Sequence, residues 1–334
     1  LYDLATNQHV GAFREIIPLE LLQNAAAKNS YTDVISVISI YSTYNLFLTI
    51  SVGLPIPASV SVTGSNFNTM PTDANDWNTL SYFLSTDTAA FINALWNSPY
   101  ISRQWMISRL FVEPFNEFDG LLNINGSTIS SSPARAVSLE NDLAYFLYAD
   151  GISTNMLMPS VVGNYSGYSP GVDSRVQYIS DYYALGGAGL PNVHIYAPVI
   201  SPATTYSEVV SAISAEVQSI ANVIPSSMIG HVLLGETGNA DATPPYCAPP
   251  NGTTYGPSID PSQRANEYAA IAQDPTINTV VGQLNFWRLM EFSPQQTYSP
   301  SNPVLGCEAY YGVVPYMGSY YNSVGLNLFY YLNH

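Results

Sequence analysis

From about residue 70 onward, stretches in which apolar residues recur every three to four positions alternate with short apolar runs rich in β-branched and aromatic residues. The first pattern is the stripe of an amphipathic helix. The second is that of a strand covered on both faces, where no inside/outside alternation is needed. Helices are predicted over residues 76–96, 138–148, 175–185, 206–223 and 262–273, the third running into Gly186-Gly187 and the fourth stopping before Pro225, both chain-breaking signals. Strands are predicted over 105–112, 156–162, 193–196, 228–234 and 279–287. They recur at intervals on the order of 35 to 50 residues, the spacing of βα units with long loops. Strand–helix alternation of this kind implies a parallel sheet.

The first seventy residues are less periodic. Residues 10–17 and 47–52 read as strands and 18–28 as a helix, whereas 32–43, rich in Val and Ile, fits a strand and a buried helix equally well. Five strands after residue 100 and two or three before it make seven or eight, and the natural closure is an α/β (β/α)8 TIM barrel. No internal repeat or linker interrupts the 334 residues. One domain over 1–334 is therefore expected, with a Tyr-rich tail from about residue 308.

Composition narrows the function classes. Hydrophobic residues make up 47% of the chain and aromatic ones 13%, enough for a large core and unlike a disordered chain. Only 8 basic residues stand against 24 acidic ones, a net charge of −16 that repels nucleic acid and anionic lipid. No apolar run is long enough to span a membrane. With polar surface supplied by Ser, Thr, Asn and Tyr, a secreted protein is expected, and a start at Leu1 fits a processed product. The sequons at Asn125, Asn164 and Asn251 would permit glycosylation, and Cys247 and Cys307, in Pro/Gly-rich segments, suit a disulfide between two loops. The scattered His residues and two Cys form no metal-ligand spacing, so neither metal nor cofactor is expected.

The chemistry concentrates where apolar runs end. Residues 105–112 lead into Glu113-Pro-Phe-Asn116-Glu117-Phe-Asp119, residues 231–235 into Glu236-Thr-Gly, and His194-Ile-Tyr196 closes another run. In an α/β barrel, catalytic groups come from the C-terminal ends of several strands. Two carboxyls placed so suit glycoside hydrolysis, which needs one protonated and one ionised acid.

Val112-Glu-Pro-Phe-Asn-Glu117 resembles the Glu-x-x-Asn-Glu ending of the fourth strand in clan A glycoside hydrolases, family 5 above all. Gly235-Glu236-Thr-Gly238 is similar to the Gly-Glu-x-Gly ending of their seventh strand, and His194-Ile-Tyr196 to the His-x-Tyr of the sixth. Asn285-Phe-Trp287 stands where the eighth carries a Trp. Phe118 replaces the Pro that usually follows the acid/base in family 5. The resemblance implies Glu117 as acid/base and Glu236 as nucleophile of a retaining enzyme. It also implies Asn116, His194, Tyr196 and Trp287 as substrate-side residues. Arg14 would match an Arg near the nucleophile, or else be a surface residue paired with Glu15 or Glu20.

By strand alternation Glu113 lies on the same side as Glu117 and below it, a buried support paired with Arg109 or another Arg. Asp119 reads as a loop-capping residue. Trp77 and Trp96 read as core, and Tyr246, Tyr255 and Tyr298 as candidate sugar platforms. The leading expectation is an endo-acting hydrolase of a β-1,4-linked polysaccharide, cellulose or mannan. A non-catalytic carbohydrate-binding or surface-assembly protein, and a transglycosylase on the same residues, are the alternatives.

Overall fold

A computed structural model describes residues 11–53 without 20 and 23–29, 74–119, 131–196 without 164 and 166, 205–238, and 261–286. Trp287, both cysteines, the three sequons, the Tyr-rich tail and the loop tyrosines lie outside the described residues, as does most of the helix expected over 18–28. The chain forms two compact units, residues 1–193 with 223–228, and 194–222 with 229–334.

The first unit is built on the sheet β1 (Ala12–Pro18), β2 (Phe47–Gly53), β3 (Leu110–Glu113) and β4 (Asn155–Met156), in that order and all parallel. Helix α1 (Thr32–Thr43) links β1 to β2, so the stretch open to two readings is a helix. Helices α2 (Ala74–Trp96) and α3 (Arg103–Arg109) precede β3, and α4 (Pro133–Ala149) and α5 (Ser174–Ala184) follow it. On β2, Leu48, Ile50 and Val52 on one face and Thr49 and Ser51 on the other are all wholly buried, as a strand covered on both faces requires.

One predicted strand needs correction. Residues 105–109 of the expected strand 105–112 belong to helix α3, and β3 keeps only 110–112 of that run plus Glu113. The Ser102 hydroxyl caps the helix by accepting the Trp105 amide, and the Trp105 indole donates to the Leu46 carbonyl at 2.8 Å. An apolar run records burial, and burial is common to a strand and to this short helix. Likewise 156–162 forms only a short strand, followed by isolated parallel bridges at Leu157–Leu190 and Val161–Val193.

The second unit is built on the sheet β5 (Asn192–Tyr196, of which His194 onward belongs to this unit), β6 (Val232–Gly238) and β7 (Val281–Phe286), with β6 and β7 parallel. Helix α6 (Tyr206–Ala221) buries Val209, Ile213, Val217 and Ile220, spaced as one helical face. Thr205 and Glu208 close a reciprocal capping box at its start. It packs on α7 (Pro261–Gln273) and α8 (Pro275–Val280), to which the Ser214 hydroxyl is tied through Asp274 at 2.9 Å. The expected strands 228–234 and 279–287 begin later than predicted, because Ser226–Met228 is a 3-10 turn and Pro275–Val280 a helix capped by Asp274. Among the described residues no helix is long and apolar enough to cross a membrane.

Candidate active site

In the first unit the predicted residues gather around Arg14 on β1. Its Nε and Nη2 donate to Glu113 Oε2 at 3.1 and 2.7 Å, and Nη2 also donates to Asn116 Oδ1 at 2.6 Å. Arg14 and Glu113 are both almost fully buried, 4% and 0% exposed in their side chains. Arg14 is thus no surface residue, and it, not Arg109, is the partner of Glu113. Arg109 lies over the Phe47 ring at 4.1 Å. The other oxygen of Glu113 accepts the Ser160 amide at 3.1 Å. A buried carboxylate so paired and hydrogen-bonded meets the condition for holding a charge inside a protein.

Asn116 reaches Arg14 because the chain turns sharply after β3. Its amide donates to the Val52 carbonyl at 2.8 Å, and a Cβ on neighbouring Gly53 would meet Ile16 Cγ2 at 2.7 Å and Asn116 Cβ at 3.6 Å. Arg14 occupies the Asn116 carbonyl oxygen, so the amide nitrogen is the end that can donate to a ligand.

Glu117 comes one residue later, with φ of 47°, a left-handed conformation rare for a residue with a side chain. Strand alternation therefore does not relate Glu113 to Glu117, because β3 ends at Glu113. The Glu117 amide donates to the Ser160 hydroxyl at 2.7 Å, and the Phe118 amide to the Ser160 carbonyl at 2.9 Å. Burial pushes the Glu117 carboxyl above its ordinary range; the Arg14 charge pulls it down and the Glu113 charge raises it. Asp119, wholly buried, accepts the Val162 and Gly163 amides at 2.7 and 2.8 Å and so ties the turn after β3 to a segment distant in sequence.

In the second unit, β6 carries Glu236, 3% exposed. The β6–β7 register shifts between Leu234 and Thr237, on either side of Glu236. Such irregularities re-aim a side chain out of the regular pleat. The Tyr196 hydroxyl donates to Glu236 Oε2, and His194 Nδ1 lies 3.6 Å from the same oxygen. His194 and Tyr196 stand two apart on β5, hence on one face. Asn285, on β7, accepts the Gln283 side-chain amide at 3.3 Å.

Six predicted site residues thus fall into two sets, Arg14, Asn116 and Glu117 in the first unit, and His194, Tyr196 and Glu236 in the second. Trp96, taken as core, is half-buried with Arg103 over its ring at 5.1 Å. Ser160 escaped the sequence reading. Its one signal was a place near the end of an apolar run, in Met158-Pro-Ser-Val.

No protein-family model matches the sequence, and no curated protein is significantly similar to it. Solved structures are. A GH5_18 variant from Bifidobacterium longum subsp. longum, in complex with Manβ1-4GlcNAc, matches with a TM-score of 0.67 and 13% identity, over 100% of this chain and 72% of that one. GH5_18 from Streptomyces cattleya in complex with GlcNAc matches at 0.65 and 12%, over 99% and 73%. An exo-β-1,4-mannosidase from Opitutaceae bacterium strain TAV5 matches at 0.55 and 11%, over 98% and 53%. Identities this low bear on fold alone. Over the length of this chain the α/β fold is similar to that of these glycoside hydrolase structures.

Proposed function

We propose that the chain is a retaining glycoside hydrolase on a single (β/α)8 barrel, with Glu117 as acid/base and Glu236 as nucleophile. The observation that carries the reading is the contrast between two carboxyls at strand ends. Glu117 is pushed toward its protonated form by burial, and Glu236 accepts a phenol hydrogen bond from Tyr196. The reaction needs that division of labour.

In the first step Glu117 gives its proton to the glycosidic oxygen while a Glu236 oxygen attacks the anomeric carbon. The C–O bond breaks, the leaving sugar departs neutral, and a glycosyl ester forms on Glu236. In the second step Glu117, now the base, takes a proton from water, which displaces the sugar with net retention. Tyr196 and His194 aim Glu236. Asn116 offers its amide nitrogen to the sugar 2-hydroxyl, and Arg14 acts through Asn116 and Glu113 instead of touching the substrate.

A β-mannoside is the first substrate class to test, because similar structures hold Manβ1-4GlcNAc or are named for exo-β-1,4-mannosidase activity. Endo action on a β-1,4-linked polysaccharide, cellulose or mannan, is the second class to test, supported by the extracellular character of the composition and by the tyrosines proposed as sugar platforms. The acidic, neutral-polar composition supports an extracellular setting. Glu117→Gln and Glu236→Gln should each lose about 10²- to 10⁴-fold in kcat on a β-glycoside panel, with unchanged circular dichroism. Near-normal rates in both variants would overturn the assignment.

A further inference from the structure

Glu117 holds a backbone conformation that costs free energy and persists only where its surroundings impose it. Those surroundings converge on one residue. Ser160 takes the Glu117 amide on its hydroxyl at 2.7 Å and the Phe118 amide on its carbonyl at 2.9 Å. Its own amide lies 3.1 Å from Glu113 Oε1 and 3.2 Å from the Phe115 carbonyl. Ser160 is wholly buried, so its hydroxyl is shielded from bulk solvent. The next residues are fixed as well, by Asp119 on the Val162 and Gly163 amides and by Arg175 Nη2 on the Val162 carbonyl at 2.7 Å.

We propose that Ser160 is a positioning residue whose hydroxyl locks the left-handed turn at Glu117 and so aims the acid/base carboxyl. This rests on the reading of Glu117 as the proton donor. An alanine offers no acceptor to the Glu117 amide, and the turn is free to relax toward ordinary backbone angles. The carboxyl then moves relative to the glycosidic oxygen. Displacements of about 1 Å are enough to cost on the order of 10²-fold in a reaction governed by alignment.

The test compares two leaving groups on whichever β-glycosyl unit the wild type hydrolyses best. A disaccharide needs a proton on its departing oxygen, and a dinitrophenyl glycoside does not. In Ser160→Ala, kcat/KM for the disaccharide should fall about 10- to 100-fold while that for the dinitrophenyl glycoside stays within about threefold. Ser160→Thr, which keeps the hydroxyl, should recover most of the loss. Equal losses on both substrates, or none on the disaccharide, overturn the proposal. If Ser160→Ala does not fold, Ser160→Cys, a weaker acceptor of similar size, takes its place: a loss confined to the disaccharide supports the proposal, and an equal loss or none overturns it. Glu117→Ala is measured alongside. Without a selective loss there, the functional reading itself falls; with it, and none in the Ser160 variants, only the role of Ser160 falls.

Discussion

At the scale of residues, the Arg14–Glu113 pair sets the terms for Glu117. Both partners are almost fully buried. Removing the cation leaves a carboxylate without its counter-charge in a low-dielectric setting. Arg14→Met should therefore lower stability by about 3–5 kcal/mol, read as the shift of a urea unfolding curve. Glu113→Gln tests the electrostatics from the other side. The Glu113 charge raises the Glu117 carboxyl, and the first step of the proposed reaction needs Glu117 protonated, so on that reading activity falls as pH rises through its pKa. Without that charge the pKa drops, and the alkaline limb of the kcat/KM profile should move to lower pH. The sequence singled out both carboxylates because they are rare charges at the end of an apolar run. It did not identify Ser160, which meets Glu117 from 43 positions away and carries no charge to draw notice.

At the scale of elements, α4 and α5 meet at a buried carboxyl. Glu140 shares a hydrogen bond with the Tyr182 hydroxyl, which also accepts the Gly189 amide at 3.0 Å. Burial pushes Glu140 up from the ordinary 4.5 to about 7, against the pull of the Ala188 and Gly189 amides. The folded state thus binds this proton more tightly than the unfolded chain. The resulting stability is fully present below about pH 4.5 and is lost as pH rises through about 7, on the order of 3 kcal/mol. Glu140→Gln should flatten that dependence, so that wild type and variant urea midpoints converge or cross between pH 4 and pH 8. On α6, Thr205→Ala removes the acceptor of the capping box and should cost about 1 kcal/mol, measurable in thermal unfolding. Helix positions were well read from periodicity, as α6 and α5 show. The strand 105–112 was misread, because α3 is too short to display a helical period before β3 begins.

For the molecule as a whole, the proposed assignment of Glu117 and Glu236 makes a stereochemical prediction. Retention needs their carboxyls about 5–5.5 Å apart, and inversion about 6.5–9.5 Å. Proton NMR of the first-formed product should show the anomeric configuration of the substrate. Inversion would remove Glu236 as nucleophile.

The alternation of helices and strands, the acidic and weakly charged character, and the chemical identity of the residues at strand ends are legible in the amino-acid order alone. These are local properties, fixed by side-chain period and by what each side chain can donate or accept. That Arg14 pairs with Glu113, that Tyr196 and His194 meet Glu236, and that the Glu117 amide meets the Ser160 hydroxyl comes from folding in three dimensions. Each of these contacts joins segments tens of residues apart. Strand order and register bring such segments together, and no property of either segment alone encodes which partner it will meet.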